Sequence, residues 1–257
     1  MPPTHRHIFI AGLHRSGTTL LQRILREHPE ISGFRDTGAP EDEGQHLQSV
    51  LPGAGKCGGP SRFALNGEAY RKAVAACVTP ENREKLFAEW SPHWNLEKPF
   101  LLEKSPPNTL RAPYLEALFP PSYFIYIVRH PIPVAFSMAE REWAGSTSIP
   151  ALMRNWCAGY RYALADMPRL QHSLLIRYED LTAHPAATLE KIYGFLGVKP
   201  LAAAEPVQPS NDKHFEAWED FSRRHRLQAL RIKSLQSHLE TFGYSLREPY
   251  IQAMEQL

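Results

Sequence analysis

Apolar residues along the chain follow two alternating patterns. Residues 8–11, 99–102, 123–128 and 174–176 are short, nearly continuous apolar runs, the signature of strands buried on both faces. Between them, residues 108–118, 131–142, 148–167 and 185–196 repeat apolar positions every three or four residues, which predicts helices, and Pro131 and Pro185 suit a first turn. Strands alternating with helices predict an α/β fold: one domain over 1–257, in three α/β/α layers around a central parallel sheet with right-handed crossovers. One more long helix is expected over 217–242, with Arg223, Arg224, Arg226, Arg231 and Lys233 on a solvated face and Leu227, Leu230 and Leu235 as its apolar stripe. Residues 37–62 break the pattern. They are rich in glycine and proline, lack a period, and read as a long mobile loop facing a substrate. The stretch 63–98, with Trp90 and Trp94, is expected to form helices above it.

The first apolar run breaks at Gly12 into Leu13-His14-Arg15-Ser16-Gly17-Thr18-Thr19, and a helical pattern of Leu20, Leu21, Ile24 and Leu25 follows. A strand, a glycine loop and a helix opening bring backbone N–H groups and the positive helix end onto an anion such as phosphate or sulfate. Arg15 and the hydroxyls of Ser16, Thr18 and Thr19 add directed donors. The two glycines keep the spacing of the nucleotide-hydrolase loop G-x-x-x-x-G-K-[ST], yet Thr18 stands where its lysine would reach the β- and γ-phosphates. With the cation moved to Arg15, triphosphate hydrolysis is poorly supported.

Composition narrows the partners. Lys+Arg 29 against Asp+Glu 27 leaves a formal charge of +2, so net charge implies no nucleic acid and anion binding must be local. The three cysteines, Cys57, Cys77 and Cys157, lack C-x-x-C spacing and argue against a disulfide framework or a structural zinc, which fits a reducing, cytoplasmic setting. No apolar stretch approaches the length of a membrane span.

Arg15-Ser16-Gly17-Thr18-Thr19 resembles, residue for residue, the [KR]-S-G-T-T loop of the sulfotransferases, which use 3′-phosphoadenosine-5′-phosphosulfate. A second motif of that family, a strand-end arginine and a serine eight positions later, is matched in FIYIVRHPIPVAFSM by Arg129 and Ser137. The resemblance implies a P-loop NTPase-like fold and transfer of a sulfuryl group to a hydroxyl or amine, releasing 3′,5′-ADP. It assigns the 5′-phosphosulfate to Arg15, Ser16, Gly17, Thr18 and Thr19, the 3′-phosphate to Arg129 and Ser137, and requires no metal because cationic side chains fill that role. In LLIRYEDL, Tyr178 matches a tyrosine that approaches the nucleotide, and Lys213 and His214 match a late loop that closes over it. Lys104, at the carboxyl end of the 99–102 run, resembles a lysine that approaches the bridging oxygen.

The acceptor must lose a proton, so a general base is expected. Counted without gaps from the loop, Asp36-Thr37 falls where protein-tyrosine sulfotransferases carry a catalytic glutamate in an E-T pair, and HPEI at 28–31 resembles their H-P-D-I. Glu41, Glu43 and His46 follow within ten residues and stay open as alternatives, the histidine for its unperturbed pKa near ~6.5. The acceptor itself, whether small molecule, carbohydrate, lipid or peptide, is not specified. Family members of the secretory pathway carry a membrane anchor, and its absence here leads us to expect a bacterial-type soluble enzyme. Two other readings remain: an ATP-dependent small-molecule kinase, and a non-catalytic nucleotide-binding protein.

Overall fold

The computed structural model describes residues 5–145, 147–201 and 211–246. In chain order it contains β1 (Arg6–Ala11), α1 (Thr18–Leu25), β2 (Ile31–Gly33), α2 (Gly67–Ala75), α3 (Pro80–Trp90), β3 (Phe100–Lys104), α4 (Asn108–Leu118) and β4 (Ser122–Val128). Then follow α5 (Pro131–Ala139), α6 (Ile149–Asp166), β5 (Ser173–Arg177), α7 (Tyr178–Ala183), α8 (Pro185–Leu196), α9 (Asp212–Arg224), α10 (Arg226–Lys233) and α11 (Gln236–Glu240). The expected strands form, and all pair in parallel in the order β2-β3-β1-β4-β5.

Each central strand is apolar throughout because it is buried twice. Phe9, Ala11, Leu101, Phe124 and Tyr126 point into the larger core beneath α2–α6, while Ile8, Ile10, Leu102, Ile125 and Ile127 meet Leu21, Leu25, Leu189 and Ile192 on the other face. The connection after β1 runs over one face and that after β4 over the other, so a crevice opens at the carboxyl ends of these two neighbours. Register then sets what lines it: Ile10 lies opposite Lys104 on one side and Ile125 on the other, so the loop after β1 emerges between Lys104 and Arg129.

Two sequence expectations change. Residues 217–242 are not one helix but parts of three, α9, α10 and α11. Leu227 and Leu230 stay 77% and 61% exposed; the buried face of α10 is instead Ala229 and Ile232. The edge strand β2 is too short, at three residues, to have shown a period. Segment 37–62 folds into three short 3-10 turns, Pro40–Asp42, Gly44–His46 and Ala54–Cys57. It buries Glu43, Gly44, Leu51, Ala54 and Ser61 against the body of the protein.

Candidate functional site

The loop after β1 is bent by two residues in left-handed backbone, Arg15 at φ 70° and Gly17 at φ 96°. Glycine is required at 17 for a second reason: a Cβ there would stand 2.5 Å from Cδ2 of Tyr178. Ser16 is spent on the loop itself, its N–H donating to the Leu13 carbonyl at 3.0 Å and its hydroxyl lying 2.9 Å from the Tyr160 hydroxyl. Because Tyr160 donates to the Ile127 carbonyl and accepts the Leu13 N–H, it ties the loop to β4. The first backbone bond inside α1 runs from Leu21 to Gly17, which leaves the N–H groups of the opening turn to face an anion, as at any helix start.

Arg129 leaves β4 into the same crevice. Its Nη1 donates to the Arg15 carbonyl at 3.1 Å and its Nε to Oδ1 of Asn211 at 3.0 Å, and its guanidinium lies 4.3 Å above the Tyr178 ring. Arg15 in turn donates from Nε to the Ser137 hydroxyl, one helix further on, at 2.9 Å. The sequence-nominated Arg15, Arg129, Ser137 and Tyr178 are therefore one connected cluster, with Asn211 as a member that no motif announced. Burial lowers the pKa of both arginines; Arg141 adds to the lowering at Arg15, and Arg15 adds to it at Arg129. Two like charges held together in this way are a standing demand for an anion.

On the other side of the loop, Lys104 is fully buried and makes three bonds through Nζ: 3.2 Å to the Thr19 hydroxyl, 2.9 Å to the Glu41 carbonyl and 3.1 Å to Oε1 of Glu43. Glu43 reaches that spot because Gly44 has no side chain. A Cβ at Gly44 would stand 2.4 Å from Oε1 of Glu103; the Gly44 carbonyl takes the Trp90 indole N–H at 3.0 Å, and the next N–H, of Gln45, donates to the Ser105 hydroxyl at 2.9 Å. Beneath, Glu103 is held by Ser105 and Asn108; burial pushes its carboxyl up, and these two bonds oppose the rise. His46, its side chain 44% exposed, stands 3.7 Å from Oε2 of Glu43, the oxygen that also accepts a hydrogen bond from the Gln45 side-chain amide.

The remaining candidates lie further out. Asp36 is exposed and Glu41 touches Lys104 only through its backbone. Lys213 is exposed and pairs with Glu140 at 3.5 Å, whereas His214 is buried beside it. Arg15, Asp36, Glu41 and Asp42 are the non-glycine residues with positive φ among the described residues, and all four belong to the two segments that line the crevice. Backbone strain of this kind concentrates where a protein binds or reacts. His14 was missed by the sequence reading. It precedes Arg15, and burial holds its pKa down to about 4, so at neutral pH it is uncharged among Glu43, Lys104, His46 and Arg15.

A parallel sheet with an anion loop after its central strand and three cations around that loop defines a P-loop-like group-transfer fold. The profile of the sulfotransferase family matches residues 7–203, and the chain belongs to that family. Among curated relatives, the nodulation protein NoeE of Sinorhizobium fredii is 27% identical over 75% of this chain and 50% of its own length. A putative protein-tyrosine sulfotransferase of Caenorhabditis briggsae is 27% identical over 75% of this chain and 65% of its own. The chain thus spans about half to two thirds of the length of these relatives. The sulfotransferase domain of the Synechococcus olefin synthase has the same fold, with a TM-score of 0.55, 21% identity and coverage of 96% of this chain and 98% of that one. Among the described residues, no helix is long and apolar enough to cross a membrane.

Proposed function

We propose that this chain is a sulfotransferase that moves a sulfuryl group from 3′-phosphoadenosine-5′-phosphosulfate to a hydroxyl or amine acceptor in the cytoplasm. The observation that carries the reading is the pairing of Lys104 with Glu43 beside Thr19, a cation and a carboxylate side by side at the mouth of an anion loop. Family membership supports the donor, and the cradle suits it. Gly17 admits a close approach, the opening turn of α1 offers unpaired N–H groups, and Arg15 and Arg129 supply positive charge at two points, as a nucleotide with separate 5′ and 3′ anions demands.

When bound, the donor supplies an activated sulfuryl group on a nucleotide leaving group. The residues divide the remaining work. Glu43 takes the proton of the acceptor hydroxyl as the new O–S bond forms. Lys104 and Arg15 face the negative charge that collects on the bridging oxygen as the old S–O bond breaks and its electron pair departs with 3′,5′-ADP. Arg129 and Ser137 hold the 3′-phosphate, while Tyr178 supports the Arg129 guanidinium from below. Glu43 is preferred to Asp36 as base because Glu43 touches Lys104 while Asp36 faces solvent. Lys213 contributes at the rim, over the nucleotide.

Thermal unfolding with added nucleotides tests this. Stabilisation by 3′,5′-ADP without magnesium is expected, rising with ligand concentration. Stabilisation by ATP only when magnesium is present would support a kinase instead.

A further inference from the structure

Four of the five tryptophans are core residues, and each donates its indole N–H to a backbone carbonyl: Trp90 to Gly44, Trp94 to Leu102, Trp156 to Arg129, and Trp218 to Leu246. Trp143 differs in both respects. It is 53% exposed, on the short turn Glu142–Ala144, and no protein group among the described residues accepts its indole N–H. Leaving so large an apolar ring in water forgoes burial that the other four obtain.

Its position is not arbitrary. The ring centroid of Trp143 is 5.8 Å from that of His14, inclined at 49°, and Phe63 closes the far side of His14 at 5.9 Å and 79°. The turn bearing Trp143 is fixed by the Ser61 hydroxyl, which donates to the Ala144 carbonyl at 2.6 Å. His14 adjoins Arg15, so the aromatic wall runs from solvent to the cation that faces the transferred group. His14 Nδ1 is buried with no hydrogen-bond partner. Behind it the pocket is lined by Leu13, Val134, Met138 and Leu152, and the amide there, Asn155, already accepts the Ala64 N–H at 3.0 Å. Such a wall offers surface and very little hydrogen bonding.

We propose that Trp143 and His14 form the acceptor-binding wall, and that they select an acceptor presenting a flat apolar face, an aromatic ring or the C–H face of a pyranose, beside the hydroxyl that receives the sulfuryl group. The assignment rests on the reading of residues 12–19 as the donor loop. Stacking on Trp143 supplies orientation, and His14, uncharged at neutral pH, borders the ring without imposing a charge on it. A flexible alkyl alcohol gains neither effect.

The test uses the 15N-labelled full chain saturated with 3′,5′-ADP and follows its indole N–H signals by NMR, that of Trp143 being identified by its loss in Trp143→Phe. Three probes are titrated: 4-methylphenol, methyl β-D-glucopyranoside and 1-hexanol. A ring-bearing probe is expected to move the Trp143 signal while the four core indoles stay in place, and which of the two does so identifies the aromatic or the sugar face. In Trp143→Ala its dissociation constant should rise about fivefold, and Trp143→Phe should restore most of the loss. No shift with either ring, or an equal shift with 1-hexanol, overturns the assignment. If 3′,5′-ADP itself leaves the amide signals of Gly17, Thr18 and Thr19 unmoved, the donor reading fails first and this assignment with it.

Discussion

The arginine side and the lysine side of the crevice are assembled by different means. Arg129 is fixed by where β4 ends, Arg15 by a left-handed turn, and Ser137 by its place on the helix that follows, so backbone geometry delivers each one. Lys104 is likewise fixed by the end of β3, but its partner Glu43 lies 61 residues earlier, in a segment without helical or strand period. That segment is set down by Gly44 on Glu103, by Trp90 on the Gly44 carbonyl and by Ser105 on Gln45. The proposed anion contacts are thus written in strand ends and turns, whereas the proposed proton-handling pair depends on how a loop packs.

The largest effect expected from breaking this comparison is on the lysine side. Glu43→Gln should lower turnover, read as 3′,5′-ADP release, by about 10²–10⁴-fold, the usual contribution of a general base. Because the neutral amide no longer competes for Lys104, 3′,5′-ADP should bind as tightly as before or more tightly. Lys104→Ala should lower turnover more than donor affinity. Asp36→Asn should change turnover by less than about twofold; if it gave the large loss and Glu43→Gln the small one, the roles assigned to the two acids would be reversed.

On the arginine side, Arg129→Ala should weaken 3′,5′-ADP binding by about 2–4 kcal/mol, since it removes one partner of a buried charged contact. Titration calorimetry reads this directly. Next in size is Gly17→Ala, which places a Cβ against Tyr178 in a left-handed backbone and should cost on the order of 2 kcal/mol in denaturant unfolding.

The smallest effect lies away from both sides. His7, buried in β1 among Phe9, Trp94 and Phe119, has no hydrogen-bond partner on either ring nitrogen, and burial takes its pKa down to about 3. His130 is held down to about 4 for the same reason. Both are therefore neutral in the folded chain at pH values where the unfolded chain, with histidine pKa values near ~6.5, takes up protons. Stability is complete above that value and falls as the pH drops from there toward 4. His7→Phe should flatten part of this slope and add about 1 kcal/mol near neutrality by removing two orphaned polar atoms. A pH series of unfolding midpoints would check it, and an unchanged slope would contradict it.

How much was legible follows the same division. The parallel sheet, the anion loop and the cations Arg15, Lys104 and Arg129 could be read because short apolar runs and strand-end positions are local signals. The grouping of Glu43 with Lys104 could only be left among alternatives, because spacing in a glycine-rich loop does not say which acid turns inward. Glu-Gly at 43–44 was the available hint, a carboxylate followed by a residue that permits close backbone approach. Asn211, Tyr160 and His14 carried no signal of their own, since each acts through a contact between segments far apart in sequence. The apolar stripe expected at Leu227 and Leu230 failed because the helix breaks at His225 and restarts with Ala229 and Ile232 inward.

The most direct test of the central claim, that the loop at 12–19 and Arg129 together hold a nucleotide with anions at both 5′ and 3′ positions, is calorimetric titration of the wild-type chain and Arg129→Ala with 3′,5′-ADP and 5′-AMP. Wild type should strongly prefer 3′,5′-ADP, and Arg129→Ala should lose most of that preference while its weaker binding of 5′-AMP barely changes. Equal binding of the two nucleotides by wild type, or a preference that survives in Arg129→Ala, would contradict it.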